Sequence, residues 1–227
     1  MTLINALMEI DKIKAELENP DFQYRLKAIA ALKEYESEVA VPLLTSKLHD
    51  SEFLVRSFVA RGLGSQQSAE SFAALIQIMK FDDTPNVRAE AANSLSLFGR
   101  IAVSHLVLTY YQDDHWLVRR TILAAIAEMD CPEELFDICV QGLKDEDFTV
   151  QESSVDALGL LADSTLNVAA LSQILSLVNT ESWRMRVRVA YALKRFDEPQ
   201  AKAALNQLRQ DKDHRVVGAA LEDLLPR

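Results

Sequence analysis

Residues 112–120, QDDHWLVRR, gather side chains that could perform chemistry. Two carboxylates, an imidazole, an indole and two guanidinium groups lie within one short segment. Such a set could form an acid–base site, or it could bind an anionic group through the arginines. The same local pattern recurs along the chain, however, which indicates that the segment is one copy of a repeat.

The repeat is clearest when Arg119 is taken as an anchor. Equivalent anchors follow one another at intervals of 31, 32 or 35 residues: Arg25, Arg56, Arg88, Arg119, Gln151, Arg186 and Val217. Apolar residues one before and three, four and seven after each anchor form one helical stripe. A second apolar-periodic segment precedes each stripe, so each repeat is predicted to be a helix pair. About seven pairs should stack, because a single pair cannot bury its apolar faces alone.

Polar residues stand six positions before the anchors: Asn19, Asp50, Asp82, Asp113, Asp145, Thr180 and Asp211. Asp, Asn and Thr are N-cap types, because their side-chain oxygens accept backbone N–H groups of a helix's first turn. We therefore expect these residues to cap the second helix of each pair.

The run from Asp50 to Gly64, DSEFLVRSFVARGLG, resembles the HEAT repeat: Asp, four residues, Val-Arg, then Ala-x-x-Leu-Gly. The resemblance implies an all-α, armadillo-like fold, a right-handed α-α superhelix, as one domain over residues 1–227. It also implies a ladder of ion pairs between neighbouring turns, formed by Asp50, Asp82, Asp113 and Asp145 with Arg56, Arg88 and Arg119. Gln151 and Val217 depart from the pattern, which puts the ladder in doubt at those two anchors.

The short turns, small-residue helices and acidic balance are also similar to the HEAT-like proteins of cyanobacteria associated with phycobilisomes. That group includes bilin lyase subunits, proteins needed for phycobilisome breakdown, and a protein that interacts with an iron–sulfur scaffold protein. The resemblance implies two alternatives to a general protein-binding scaffold: a chaperone-like or bilin-lyase-related factor acting on phycobiliproteins, or a partner of an iron–sulfur scaffold protein. Any enzymatic activity would then be of the phycobilin lyase type.

Charge and composition exclude several classes of function. The chain holds 34 acidic and 24 basic residues, a net charge of −10, which disfavours binding to a phosphate backbone. No uncharged run reaches the roughly 18 residues of a membrane span, so membrane insertion is not expected. The N-terminal segment has no basic n-region, and two cysteines build no disulfide framework. These features predict a cytoplasmic protein.

Signals for catalysis are weak. The four histidines lie in different repeats, and none forms the His-Glu pair with which deoxyhypusine hydroxylases, a HEAT-like enzyme class, hold iron. We predict no catalytic residue, no metal and no cofactor. Cys131 precedes Pro132 at a predicted helix N-terminus, where a thiol can have a lowered pKa and become reactive. The alternative is a small residue in a turn.

A partner protein is expected on the face of the second helices opposite the apolar stripe. Candidate residues on or beside that face are Phe58, Arg61, Glu90, Asn93, His115, Trp116, Arg184, Arg188, Tyr191 and Arg195. The last four share one helical face and predict a partner with an acidic patch. Alternatively, these arginines pair with Glu152 and Asp156 of the preceding repeat.

The other candidates also have two interpretations. Phe58 beside Arg61 could anchor a partner or pack against the N-terminal repeat. Trp116 belongs to a row of aromatics three residues before the anchors, which could pack over neighbouring turns or face a ligand. His115, without a metal-spaced neighbour, is more typical of a surface residue.

Overall fold

A computed structural model describes residues 3–222, and the side chains from residue 9 onward. This part of the chain is all-α and contains no strand, which confirms the predicted solenoid class. Its helices are α1 Leu3–Leu17, α2 Phe22–Ala31, α3 Ser37–Thr45, α4 Phe53–Gln66, α5 Ala69–Phe81, α6 Pro85–Ser96, α7 Val103–Gln112, α8 Trp116–Ala127, α9 Pro132–Gly142, α10 Phe148–Gly159, α11 Asn167–Ser176, α12 Trp183–Leu193, α13 Pro199–Leu208 and α14 His214–Leu221. Short 3₁₀ turns lie at Leu32–Glu34, Gly99–Ala102 and Leu160–Asp163.

The helices form two compact units, whose boundary falls inside α8, between Ala125 and Ile126. Unit 1 holds α1 to α7 and most of α8. Unit 2 holds the end of α8 and α9 to α14. Within each unit the even-numbered helices are the second helices of the pairs, and each packs on the next one, as α4 does on α6 and α10 does on α12.

The predicted apolar stripe forms the core of both units. At seven residues after the anchor, for example, Leu63 and Leu158 are fully buried. Leu224, the equivalent residue of the last repeat, lies outside the described residues. Tyr24 in the first repeat differs from the expectation, because its ring is 44% exposed and lies under the Lys27 ammonium group.

Two glycines let successive second helices approach closely. A Cβ at Gly64 would lie 2.7 Å from Cβ of Ser94, and one at Gly159 would lie 3.2 Å from Cα of Ala192. Both glycines stand eight residues after an anchor, so the Leu-Gly pair recognised in the sequence marks a helix–helix contact.

The N-cap prediction is wrong by two positions. The residue four before the anchor is the N-cap: Asp147 accepts from Thr149 N at 2.8 Å, and Asp213 accepts from Arg215 N at 3.0 Å. The aspartate two residues earlier instead accepts the N–H of the N-cap residue itself, as Asp145 does from Asp147 at 2.8 Å. This is an Asx turn, which shapes the approach to the helix rather than capping its first turn.

Candidate protein-binding faces

The predicted ladder lies at the turns that connect the two helices of each repeat. In unit 1, Arg56 Nε lies 2.6 Å from an Asp82 carboxylate oxygen, and Arg88 Nε lies 2.7 Å from Asp113. Both pairs are bidentate, and their aspartate side chains are almost buried. Two further pairs, which the resemblance did not assign, lie at equivalent positions. Arg186–Asp211 is bidentate, and in Arg25–Asp50 only Nη2 of the arginine donates a hydrogen bond, although Nε also lies 2.8 Å from the carboxylate.

Each arginine anchor also bonds to its own repeat. Arg88 donates to Asp82 O at 3.0 Å, and Arg186 donates to Thr180 O at 2.7 Å. Gln151 keeps this local bond, since its Nε2 donates to Asp145 O at 2.6 Å. Its neutral amide cannot, however, form the charge-assisted bond that an arginine makes with the aspartate of the next repeat.

The QDDHWLVRR segment is explained by the fold. Asp113 accepts from both Arg88 and the backbone N–H of His115. The His115 ring Nδ1 accepts from Leu117 N at 3.2 Å, at the N-cap position of α8, and the ring stacks on Trp116. Val118 is fully buried, and no acid–base pair forms within the segment. The spacing of residues in the sequence does not show which side chain points toward the first turn of α8. The structure shows that the His115 ring makes this capping contact.

The row of aromatics lies at the first position of five second helices: α2, α4, α8, α10 and α12. Cations from the next repeat cover two of these rings in unit 2: the Arg184 guanidinium lies 5.9 Å from the Phe148 ring centre, and that of Arg215 lies 3.3 Å from Trp183. These contacts agree with packing between neighbouring turns. Trp116 keeps 37% of its surface exposed.

The α4–α6 face brings together three of the predicted partner-binding residues. Arg61 forms a bidentate ion pair with Glu90, with both N–O distances at 2.9 Å, and its guanidinium lies 5.4 Å from the ring centre of Phe58. Phe58 is partly buried and Asn93 is exposed. Arg61 is therefore already satisfied within the chain, although its side chain is 63% exposed.

The α10–α12 face comprises Glu152, Asp156, Arg184, Arg188, Tyr191 and Arg195. Arg184 Nε lies 3.3 Å from Glu152, and Arg188 lies 3.2 Å from Asp156 and 3.9 Å from Glu152. Arg184 and Arg188 therefore pair with carboxylates of the same chain, as the alternative interpretation of the sequence expected. Arg195 is exposed and forms no ion pair with any residue of the described part.

Electrostatics differ along this face. Burial raises the pKa of the Asp156 carboxyl, an effect opposed by the positive charges of Arg188 and Arg195 and reinforced by Glu152. Glu152 is 7% exposed and is held beneath the two arginines. Glu152 is therefore poorly hydrated, while Asp156 and the guanidinium groups remain accessible to solvent.

The structure argues against a reactive Cys131. Its side chain is 1% exposed, and Sγ contacts the carbonyl oxygens of Ile126 and Met129 at 3.8 Å. A thiolate there would have no access to a solvent-borne reagent. Cys139 is a core residue, and burial raises the pKa of its thiol.

Two surface cavities lie beside ladder pairs. One of about 730 Å³ is lined by Arg88 and Asp113 in unit 1, and one of about 340 Å³ is lined by Arg186 and Asp211 in unit 2. Equivalent positions line both, so they are a feature of the repeat. In the described part, no group of three or more His, Cys, Asp or Glu could hold a metal ion, and no helix has the length and apolarity to cross a membrane.

Comparison with known proteins identifies the family. Residues 10–96 and 137–225 match the model of HEAT repeats, and the chain belongs to that family. No curated protein matches the sequence significantly.

Among solved structures, similar chains include YibA of Escherichia coli, with 18% identity, 95% of this chain and 83% of that one covered, and a TM-score of 0.65. The complex of CpcE and CpcF of phycocyanin lyase from Nostoc sp. has 18% identity, with 95% of this chain and 94% of that one covered and a TM-score of 0.52. Human deoxyhypusine hydroxylase in complex with glycerol has 19% identity, with 96% of this chain and 95% of that one covered and a TM-score of 0.46. At these identities the likeness establishes the fold alone.

Proposed function

We propose that this protein is a scaffold or adaptor that binds an acidic segment of a partner protein on the α10–α12 face. The observation that carries the proposal is the row of Arg184, Arg188 and Tyr191 on α12, continued by Arg195 in the turn directly after the helix, in a protein whose net charge is −10. Guanidinium groups and a phenol ring are side chains that recognise carboxylates and form interface hot spots.

Arg195 is the best place to test the proposal. It is exposed and forms no direct ion pair within the described part, and its positive charge acts only at longer range, lowering the pKa of the Asp156 carboxyl. Its replacement should therefore remove a partner contact without breaking a direct internal ion pair. Arg195→Glu should weaken capture of the partner by roughly tenfold, on the order of 1.4 kcal/mol. Affinity purification with the immobilised protein, followed by mass spectrometry, would identify the partner and supply the binding assay.

The control is Arg120→Glu, a charge reversal at an exposed arginine in unit 1. It makes the same change in net charge away from the α10–α12 face. Circular dichroism and thermal melting should be unchanged in both variants. Equal loss of capture by both variants would show that net charge, rather than this face, governs binding, and unchanged capture by Arg195→Glu would reject the face.

A second candidate function is action on bilin-bearing proteins, supported by the likeness of the fold to the CpcE–CpcF complex. Co-expression with a bilin and a phycobiliprotein would test it, because covalent bilin attachment gives a visible absorbance band on the purified acceptor. If the absorbance band is absent but the protein still captures its acidic partner, the bilin function is rejected and the scaffold function stands. Action in the cytoplasm is part of both proposals.

A further inference from the structure

Unit 2 contains two kinds of arginine–carboxylate pair. In the ladder pair, Arg186 Nε lies 2.7 Å from Asp211, and both side chains are at most 10% exposed. In the face pair, Arg188 Nη1 lies 3.2 Å from Asp156, and the side chains are 43% and 46% exposed. Solvent-exposed pairs contribute roughly 0–1 kcal/mol, whereas bidentate, desolvated ones are stronger. The ladder pair is therefore a lasting part of the fold, and the face pair is readily exchanged.

The internal carboxylates occupy the positions that an incoming acidic segment would need. Arg188 lies between Glu152 and Asp156, and Arg184 lies against Glu152. Because the Asp156 side chain is already 46% exposed, water can solvate its carboxylate once the pair with Arg188 breaks, which keeps the cost of breaking the pair low. A partner carboxylate that meets a guanidinium in bidentate geometry would form the stronger contact.

We propose that Glu152 and Asp156 are an internal substitute for the partner: they hold Arg184 and Arg188 until an acidic peptide segment displaces them. The inference rests on the proposed function, since it assigns regulation to the same face. It has an unusual consequence, because removal of a residue at the binding face should strengthen binding. The internal carboxylates lower the affinity for acidic chains, so only a partner with several correctly placed carboxylates is retained.

The test is a titration of a fluorescein-labelled oligoglutamate peptide followed by fluorescence anisotropy. Asp156→Asn keeps the shape of the side chain and frees Arg188, and it should tighten binding by about threefold, within the range of an exposed ion pair. The matched control is Asp163→Asn, which removes one negative charge at an exposed residue of the same unit. Asp163→Asn should change the affinity much less.

Two further variants separate the two proposals. Arg195→Ala should weaken binding of the peptide if the face binds acidic chains at all. In an Arg188→Ala background, Asp156→Asn should lose most of its effect, because Arg188 is the guanidinium that pairs directly with Asp156. If Arg195→Ala weakens binding while Asp156→Asn leaves it unchanged or weaker, the internal substitute is rejected and the proposed function stands. If Asp163→Asn tightens binding as much as Asp156→Asn, only net charge is responsible, and the internal substitute is again rejected. If Arg195→Ala has no effect, both proposals are rejected.

Discussion

The link between the second helices α10 and α12 of unit 2 differs from the links within unit 1. In unit 1, consecutive repeats are linked by bidentate pairs at the turns, Arg56 with Asp82 and Arg88 with Asp113. In unit 2, the link from α10 to α12 has no such pair, because Gln151 stands at the anchor and Thr180 stands where the acceptor aspartate would be. The ionic contacts between these two helices lie instead on their exposed face.

This difference shows how one fold position can serve two purposes. A buried pair at the turn holds neighbouring repeats in register but offers nothing to a partner. An exposed pair on the helix face contributes little to stability and leaves its arginines available. Charge is distributed accordingly in unit 2: residues 126–163 hold eleven Asp and Glu against one Lys, and the arginines begin after them, in α12.

The hydrophobic core should be equally important in both units. Leu63→Ala in α4 and Leu158→Ala in α10 each leave a cavity at a fully buried position and should destabilise by about 2–5 kcal/mol. Urea unfolding followed by circular dichroism measures both. Leu160→Ala is the control, because Leu160 is 44% exposed and should cost less than about 0.5 kcal/mol. A Leu160 variant as unstable as the Leu158 variant would contradict the assignment of Leu158 to the core and Leu160 to the surface.

The ladder of unit 1 can be broken by placing glutamine at one of its arginine anchors, as unit 2 has at Gln151. Arg88→Gln can keep the local bond to Asp82 O, as Gln151 does with Asp145 O, but it leaves the Asp113 carboxylate without its cation. We expect a loss of about 2–3 kcal/mol, since an almost buried charge loses its charge-assisted bonds. Arg120→Gln, at an exposed arginine, should be nearly neutral in the same urea experiment. Equal stability of the two variants would show that the ladder contributes nothing.

The pH dependence of stability separates the two kinds of pair. The hydrogen bond from Arg186 lowers the pKa of Asp211, so this pair stabilises the fold above the ordinary aspartate pKa and is lost as the pH falls through the lowered value. Asp211→Asn should therefore cost about 2 kcal/mol at neutral pH and progressively less below about pH 4.

Asp156→Asn should show the opposite trend. Because burial raises the pKa of Asp156, its charged form is unfavourable in the folded state at neutral pH, and acid relieves that cost. Melting curves of the two variants and the native protein between pH 3 and 7, at roughly one-unit steps, compare the trends. Parallel pH profiles for the two aspartates would contradict the distinction.

The missing pair of unit 2 can be restored. Gln151→Arg together with Thr180→Asp should create a ladder pair between α10 and α12 and stabilise by about 1–2 kcal/mol. Each single variant lacks its partner, so the double-mutant cycle should give a favourable coupling energy. Hydrogen exchange should slow at the start of α12. Additive effects of the two changes would show that the helix ends are too far apart to pair.

The sequence predicted the repeat and its helix pairs from apolar periodicity, which follows from helix geometry. Through its resemblance to the HEAT repeat it also implied the superhelix class and two of the ladder pairs. It misplaced the caps by two residues, since Asp113 and His115 are both polar residues ahead of a helix. Spacing does not show which oxygen or nitrogen points at which N–H group. It also left two roles open for Arg188, because only the packing of α12 on α10 brings Asp156 within 3.2 Å.

The smallest effect concerns the caps, where the two units again use different residues at the same position. His115 in unit 1 accepts through a ring nitrogen at 3.2 Å, and Asp147 in unit 2 accepts through a carboxylate from two N–H groups, the shorter bond at 2.8 Å. Asp147→Ala should therefore cost about 1 kcal/mol and His115→Ala only about 0.5 kcal/mol, although both side chains cap a helix. His115→Asp should stabilise, because a carboxylate is the better cap and also favours the positive end of the helix dipole. Urea unfolding of the three variants gives the order. If His115→Ala is neutral and His115→Asp gains nothing, the imidazole is only a surface group, and the last chemical feature of QDDHWLVRR has no structural role.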